Sequence, residues 1–161
     1  MMTTTTPKTG SDRIEERVLL PAPRSRVWRA LTNPEELGAW FGVNLAGTRI
    51  APGEHVTGKF TIPGYEHVTF DVKIEEMVPE GRFAWRWHPH AVDTAVDYSG
   101  EPRTLVTFTL EQSPDGGTLL RVVETGFASL PAARRTAAFL GNSSGWQSQL
   151  QKRLAAYLAS V

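Results

Sequence analysis

The sequence predicts an α+β fold: a strongly curved antiparallel sheet wrapped around one long C-terminal helix, with two short helices after the first strand. Three observations predict it. Between His55 and Thr125, apolar and polar residues alternate in runs separated by turn signals, the period-two mark of half-buried strands. After Pro131 the period changes, and Trp146, Leu150, Leu154, Leu158 and Val161 fall at steps of three or four, as on one face of a helix. Antiparallel sheets bury one face and leave the other wet, and that helix is the only long apolar cover available. A sheet curved around it buries both partners. Where the curvature exceeds what the helix fills, a cavity remains.

The elements follow in order. Residues 1–11 are Thr-rich, have no periodic apolar face and are expected to be a disordered tail, leaving 12–161 as one domain. Arg13 to Leu20 is a strand closed by Pro21 and Pro23. Ser25 is placed to cap a first short helix carrying Val27, Trp28 and Leu31, and Asn33-Pro34 followed by two glutamates starts a second that ends at Gly42. Strands are expected at His55–Phe60 and at His67–Val78, with Val68, Phe70, Val72 and Ile74 on the inner face. Pro79-Glu80-Gly81 turns the chain into Arg82–His88, where Phe83, Trp85 and Trp87 alternate against polar neighbours. A long polar stretch from Pro89 to Arg103 exceeds an ordinary hairpin loop and is a candidate functional loop. Thr104–Glu111 and Thr118–Thr125 form the last two strands, joined by a Pro-Asp-Gly-Gly turn. Gly141 and Gly145 are expected to kink or divide the final helix.

Composition narrows the function. Lys+Arg and Asp+Glu are equal at 17 each among 161 residues, and neither sign accumulates in any segment. Binding to nucleic acid or insertion into a membrane is therefore not expected. With no cysteine there is no thiol nucleophile, disulfide or thiolate metal site. The N-terminus lacks the apolar middle of a signal peptide, so a cytoplasmic protein, monomeric or weakly dimeric, is expected. No P-loop, dinucleotide fingerprint, H-E-x-x-H or G-x-S-x-G pattern is present, and no cofactor is expected.

The stretch "FAWRWHPH" at 83–90 concentrates aromatics and histidines. His88 and His90 could face one metal from a strand, but Pro89 ends the strand between them. Further ligands would have to come from His55, His67, Asp93 or Asp97, none at motif spacing, so no metal site is assigned. Glu76 and Glu124 fall on otherwise apolar strand faces by alternation. With His88 they are the weak candidates for general acid–base chemistry, against a plainer reading as glutamates paired with arginines.

"RIEERVLLPAPRSRVWRALTNPEELGAWFG", "PEGRFAWRW", "TLVTFTLEQSPDGGTLLRVVETGF" and "GWQSQLQKRLAAYL" together resemble the SRPBCC superfamily of START-like helix-grip domains. Within it they are similar to the branch of homologues of the activator of heat-shock protein 90 ATPase. The resemblance covers Arg13 to Val161. It implies the fold already read from the pattern, and a cavity that in many members holds a lipid, hormone or polyketide.

The resulting expectation is a small hydrophobic or aromatic ligand, lipid, polyketide or flavonoid in kind, held between sheet and helix. Phe70 and Val72, then Phe83, Trp85 and Trp87, would line the wall from the first long hairpin, with indole N–H groups free to orient the ligand. Val106, Phe108, Leu120 and Val122 would add the later strands, and Phe139, Trp146 and Leu150 the helix. The 89–103 loop and the 127–145 segment would form the entrance. The alternatives are a cyclase- or dehydratase-like enzyme using a pocket carboxylate or histidine, and an interaction protein in contact with a chaperone.

Overall fold

The computed structural model describes residues 12–160; the expected tail, 1–11, and Val161 lie outside the described residues. Six strands form one antiparallel sheet in the spatial order β1-β6-β5-β4-β3-β2. They are β1 (Arg13–Leu20), β2 (His55–Lys59), β3 (Thr69–Val78), β4 (Arg82–Trp87), β5 (Thr104–Gln112) and β6 (Thr118–Thr125). Between β1 and β2 stand α1 (Arg24–Thr32) and α2 (Pro34–Phe41). The chain ends in a helical rod from 132 to 160: α3 (Ala132–Ser148), a π-helical stretch (Gln149–Leu154) and α4 (Ala155–Ser160).

Alternation places the core as the sequence predicts. Phe70, Val72 and Ile74 on β3, Phe83 and Trp85 on β4, Val106 and Phe108 on β5, and Leu120 and Val122 on β6 are all buried beneath Trp146, Leu150 and Leu154 of the rod. One departure matters. A bulge shifts the β3–β4 register between Ile74 and Glu76, and a one-residue insertion sends the next side chain to the opposite face. Glu76, placed inward by simple alternation, is instead exposed and takes both oxygens to Arg82 at 2.8 Å.

The short helices differ from expectation by one cap. Helix α1 begins at Arg24 with the Pro23 carbonyl accepting from Arg26 N and Val27 N, so Ser25 lies inside the helix rather than capping it. Helix α2 starts as predicted: the Asn33 side chain accepts from Glu36 N at 3.0 Å, Pro34 occupies the first turn, and Gly42 ends the helix at φ 88, a conformation that favours glycine. The glycines do not divide the helix. α3 runs unbroken through Gly141 and Gly145, and the irregularity comes later, as the π-helical stretch from Gln149.

Glu36 ties α1, α2 and the end of the rod together. Its carboxylate accepts from Arg26 Nη1 and Arg29 Nε, both at 2.7 Å, and from Tyr157 Oη at 2.9 Å. Partial burial pushes this carboxyl up, but the three hydrogen bonds outweigh it and hold it below the usual carboxylate range. The unfolded carboxyl titrates at about 4.3. The stabilisation is therefore complete above that pH and is lost as pH falls through the lower folded value. Glu36→Gln is expected to cost about 2 kcal/mol at neutral pH and to flatten the acid loss of stability. Urea denaturation of both proteins at neutral and acid pH checks it.

Candidate functional site

The interior strand faces are filled, and the open space lies at one end of the molecule. A pocket of about 780 Å³ opens between the 141–149 face of the rod, the ends of β3 and β4, and the segments around residues 60–68 and 88–103. Its apolar wall is made by Phe41, Phe60, Phe70, Trp87 and Trp146, with Tyr65 at the side. The rings meet mostly edge to face: Phe41 against Phe70 at 5.4 Å and Trp146 at 5.9 Å, Phe70 against Trp87 at 6.1 Å. Trp87 and Trp146 lie closer to parallel, 5.8 Å apart at 34°.

Behind this wall sits a fully buried carboxylate. Glu124 has no exposed surface, and four side chains solvate it. Trp87 Nε1 and Thr104 Oγ1 donate to Oε2 at 2.8 and 2.6 Å, and Trp146 Nε1 donates to Oε1 at 2.8 Å. Asn142 Nδ2 reaches both oxygens, at 3.0 and 3.1 Å. The sheet register builds half of this arrangement. Trp87 stands opposite Thr104, and Glu124 stands opposite Val106, one step of the pleat further on. The rod builds the rest, since Asn142 and Trp146 are four apart and share one face. Indole N–H groups and the amide NH₂ are donors only, so the set suits an acceptor-only carboxylate.

This overturns two expectations. The indole N–H groups of Trp87 and Trp146 are not free for a ligand, because both are spent on Glu124. Nor is Glu124 paired with an arginine: its partners are all neutral, and it does not line the pocket. Of the residues expected along the wall, Phe70, Trp87 and Trp146 line the pocket. Val72, Phe83, Trp85, Val106, Phe108, Leu120, Val122 and Leu150 lie deeper, in the packed core. Phe139 packs edge-on against Phe127, 5.4 Å away, and is not part of the wall.

Asn142, Thr104, Phe41 and Phe60 were missed by sequence reasoning. A signal existed for Asn142, which is the next position back along the Trp146-Leu150-Leu154 stripe and so falls inward. A polar residue there, facing a strand with an inward glutamate, marks a buried polar pair.

The 89–103 loop is strapped to the rod. Arg134 donates to Glu101 at 2.8 Å, to the Pro89 carbonyl at 3.0 Å and to the His90 carbonyl at 3.2 Å, and its guanidinium stacks 4.6 Å above the Tyr98 ring. His90 sits directly on Gly141, where an added Cβ would come within 2.6 Å of its Nδ1. His88 and the Glu101 carbonyl lie 3.1 Å apart; a carbonyl only accepts, so Nε2 carries the proton. Burial first, then Arg103, holds the His88 imidazole below its ordinary value, and burial with Arg134 does the same for His90. Both histidines line the pocket. Among the described residues, no group of three His, Cys, Asp or Glu could hold a metal ion, and no helix is long and apolar enough to cross a membrane.

Comparison with known proteins decides the family. Residues 21–159 match the family described as Activator of Hsp90 ATPase homolog 1-like protein. The chain belongs to that family, within the SRPBCC superfamily. This is a fold commonly used to bind ligands. No curated protein matches the chain. Among solved structures, it is similar to DynU16, titled a putative protein in the dynemicin biosynthetic locus: 24% identity, TM-score 0.69, covering 92% of this chain and 48% of that one. The chain thus spans about half the length of DynU16. It is also similar to MLL2253 from Mesorhizobium loti, at 24% identity and TM-score 0.68 over 92% of this chain and 98% of the other. CV1439 from Chromobacterium violaceum matches at 26% identity and TM-score 0.65, over 91% and 96%.

Two outcomes test this geometry. Alanine is a better helix former than glycine by about 1 kcal/mol, but Gly141→Ala drives a methyl into the His90 ring. It is expected to destabilise the wild type by about 1 kcal/mol and to stabilise His90→Ala, as a double-mutant cycle of denaturation free energies would show. A histidine with a lowered folded value favours the folded state fully above its unfolded value of about 6.5 and loses that contribution as pH falls through the folded one. The protection factors of amides in 89–103, each taken against the intrinsic exchange rate at the same pH, should therefore fall in mild acid.

Proposed function

We propose that the protein binds a small hydrophobic molecule with an aromatic or otherwise planar body in the pocket between the sheet and the C-terminal rod. The observation that carries this reading is the aromatic wall of Phe41, Phe60, Phe70, Trp87 and Trp146 around about 780 Å³ of open space. That volume lies within the range of about 300–1,000 Å³ that small-molecule sites occupy. Burial of apolar ligand surface supplies the affinity at about 25 cal/mol per Å², and the edge-to-face rings set the shape. The wall is also preorganised. Two of its rings are anchored by their N–H groups to Glu124, so little side-chain freedom is lost on binding.

An enzymatic role through Glu124 is the less favoured reading. Its carboxylate is separated from the pocket by the indoles it binds, and its acceptor positions are occupied. Proton transfer needs a group within hydrogen-bond reach of the substrate.

Titration with a panel of fatty acids, flavonoids and polyketides is expected to give saturable quenching of tryptophan fluorescence for the planar members. Gly145→Phe provides the control. Gly145 lines the pocket and an added Cβ there meets nothing within 4 Å, so a side chain can start from this position without displacing its neighbours. Affinity should fall by tenfold or more, about 1.4 kcal/mol, with a melting temperature equal to or above that of the wild type. Unchanged affinity in this variant would place the binding elsewhere.

A further inference from the structure

An apolar wall does not say which polar group a ligand must carry, but the Asn142 amide does. Its Nδ2 lies 3.0 Å from Glu124 Oε1 and 3.1 Å from Oε2. Turned over, the amide would set its own oxygen against those two oxygens, acceptor against acceptor, so the carboxylate fixes its orientation. The amide is planar, and Oδ1 therefore points away from Glu124. Asn142 lines the pocket, and its Oδ1 forms no hydrogen bond among the described residues. Asn142 is only partly buried, unlike Gln149 Oε1, which is both unpaired and sealed from solvent. The neighbouring donors are committed as well, since the Trp87 and Trp146 indoles are bonded to Glu124. This part of the wall thus offers an acceptor flanked by aromatic rings, with a carboxylate behind it; the cations that line the pocket, Lys59 and Arg103, donate to Thr69 and to the Arg86 carbonyl.

We propose that Asn142 Oδ1 selects the ligand: the bound molecule carries a hydroxyl on its aromatic body and donates it to this oxygen. The inference rests on the pocket being the binding site and names the chemical class it takes. A hydroxylated ring lays its face or edge against Trp87 and Trp146 while its O–H meets Oδ1. An ether or a carboxylate in the same position brings an acceptor to an acceptor, and a carboxylate also approaches the buried Glu124 charge. Leaving a site acceptor unpaired is the strongest form of discrimination a small pocket has. Glu124 is in this sense a positioning residue, which acts on the ligand by holding the amide.

Calorimetric titration of the wild-type protein with 2-naphthol, 2-methoxynaphthalene and 2-naphthoate tests this without any variant. The naphthol is expected to bind tighter than its methyl ether by about fivefold or more, and the naphthoate probes the cations of the lining, Lys59 and Arg103. In a nitrogen-correlated NMR spectrum, the Asn142 side-chain amide should shift with the naphthol and not with the ether. Glu124→Gln lets the amide turn either way and should narrow the naphthol-to-ether ratio even where overall affinity is kept. Equal affinities for naphthol and ether in the wild type would overturn the role of Asn142 while leaving the pocket reading intact. Saturable binding by none of the three would remove that reading and this inference with it.

Discussion

A carboxylate taken wholly out of water costs several kcal/mol unless the protein replaces its hydration, and Glu124 meets that demand with neutral donors alone. Its oxygens are held by side chains from β4, β5 and α3. The requirement constrains the whole molecule. Three strands must be in register, and the rod must present Asn142 and Trp146 to the sheet at one height. Sliding either element by a residue would strand a buried charge. The hydrophobic contacts beneath Leu150 and Leu154 tolerate small displacements far better.

The same interaction separates the filled interior from the open pocket. On one side of it, Trp85, Phe83 and Phe108 are fully buried and pack with ring centroids 5.1–5.8 Å apart. On the other, the two anchored indoles turn their rings toward open space. Two further features keep that space from collapsing. Arg134 straps the 89–103 loop to the rod by its contacts with Glu101, Pro89, His90 and Tyr98. At Gly141 and Gly145 the rod has no side chain to project into the pocket; the first lets His90 settle against the helix, and the second leaves its space open. Residues that weaken an isolated helix here shape a cavity.

The π-helical stretch from Gln149 to Leu154 adds a residue to the turn just past Trp146. Gln149 donates to the Phe41 carbonyl at 3.0 Å and Arg153 to the Trp40 carbonyl at 2.9 Å. Each caps a carbonyl at the end of α2, where the last turn has no intrahelical donors. The distorted turn of the rod thus caps the last carbonyls of α2, and Phe41 is held at the pocket wall as a result.

By itself the sequence determined the strand and helix order, the strand boundaries to within one or two residues, and the inward face of every strand up to the bulge in β3. Those follow from local periodicity and turn chemistry, which are written residue by residue. It also placed Glu124, Trp87 and Trp146 inside. What only the tertiary structure decided is what these groups do to one another. Alternation put Glu76 inward until a bulge, invisible in a single strand, turned it out. Thr104 and Asn142 joined the site through pairing register and helix height, which depend on contacts between residues 18 to 37 apart in the chain. The indole N–H groups, read from the sequence as a ligand's anchors, were claimed by a carboxylate. A hydrogen-bond donor in sequence is only a capacity, and its partner is fixed by which atoms the fold brings within about 3 Å.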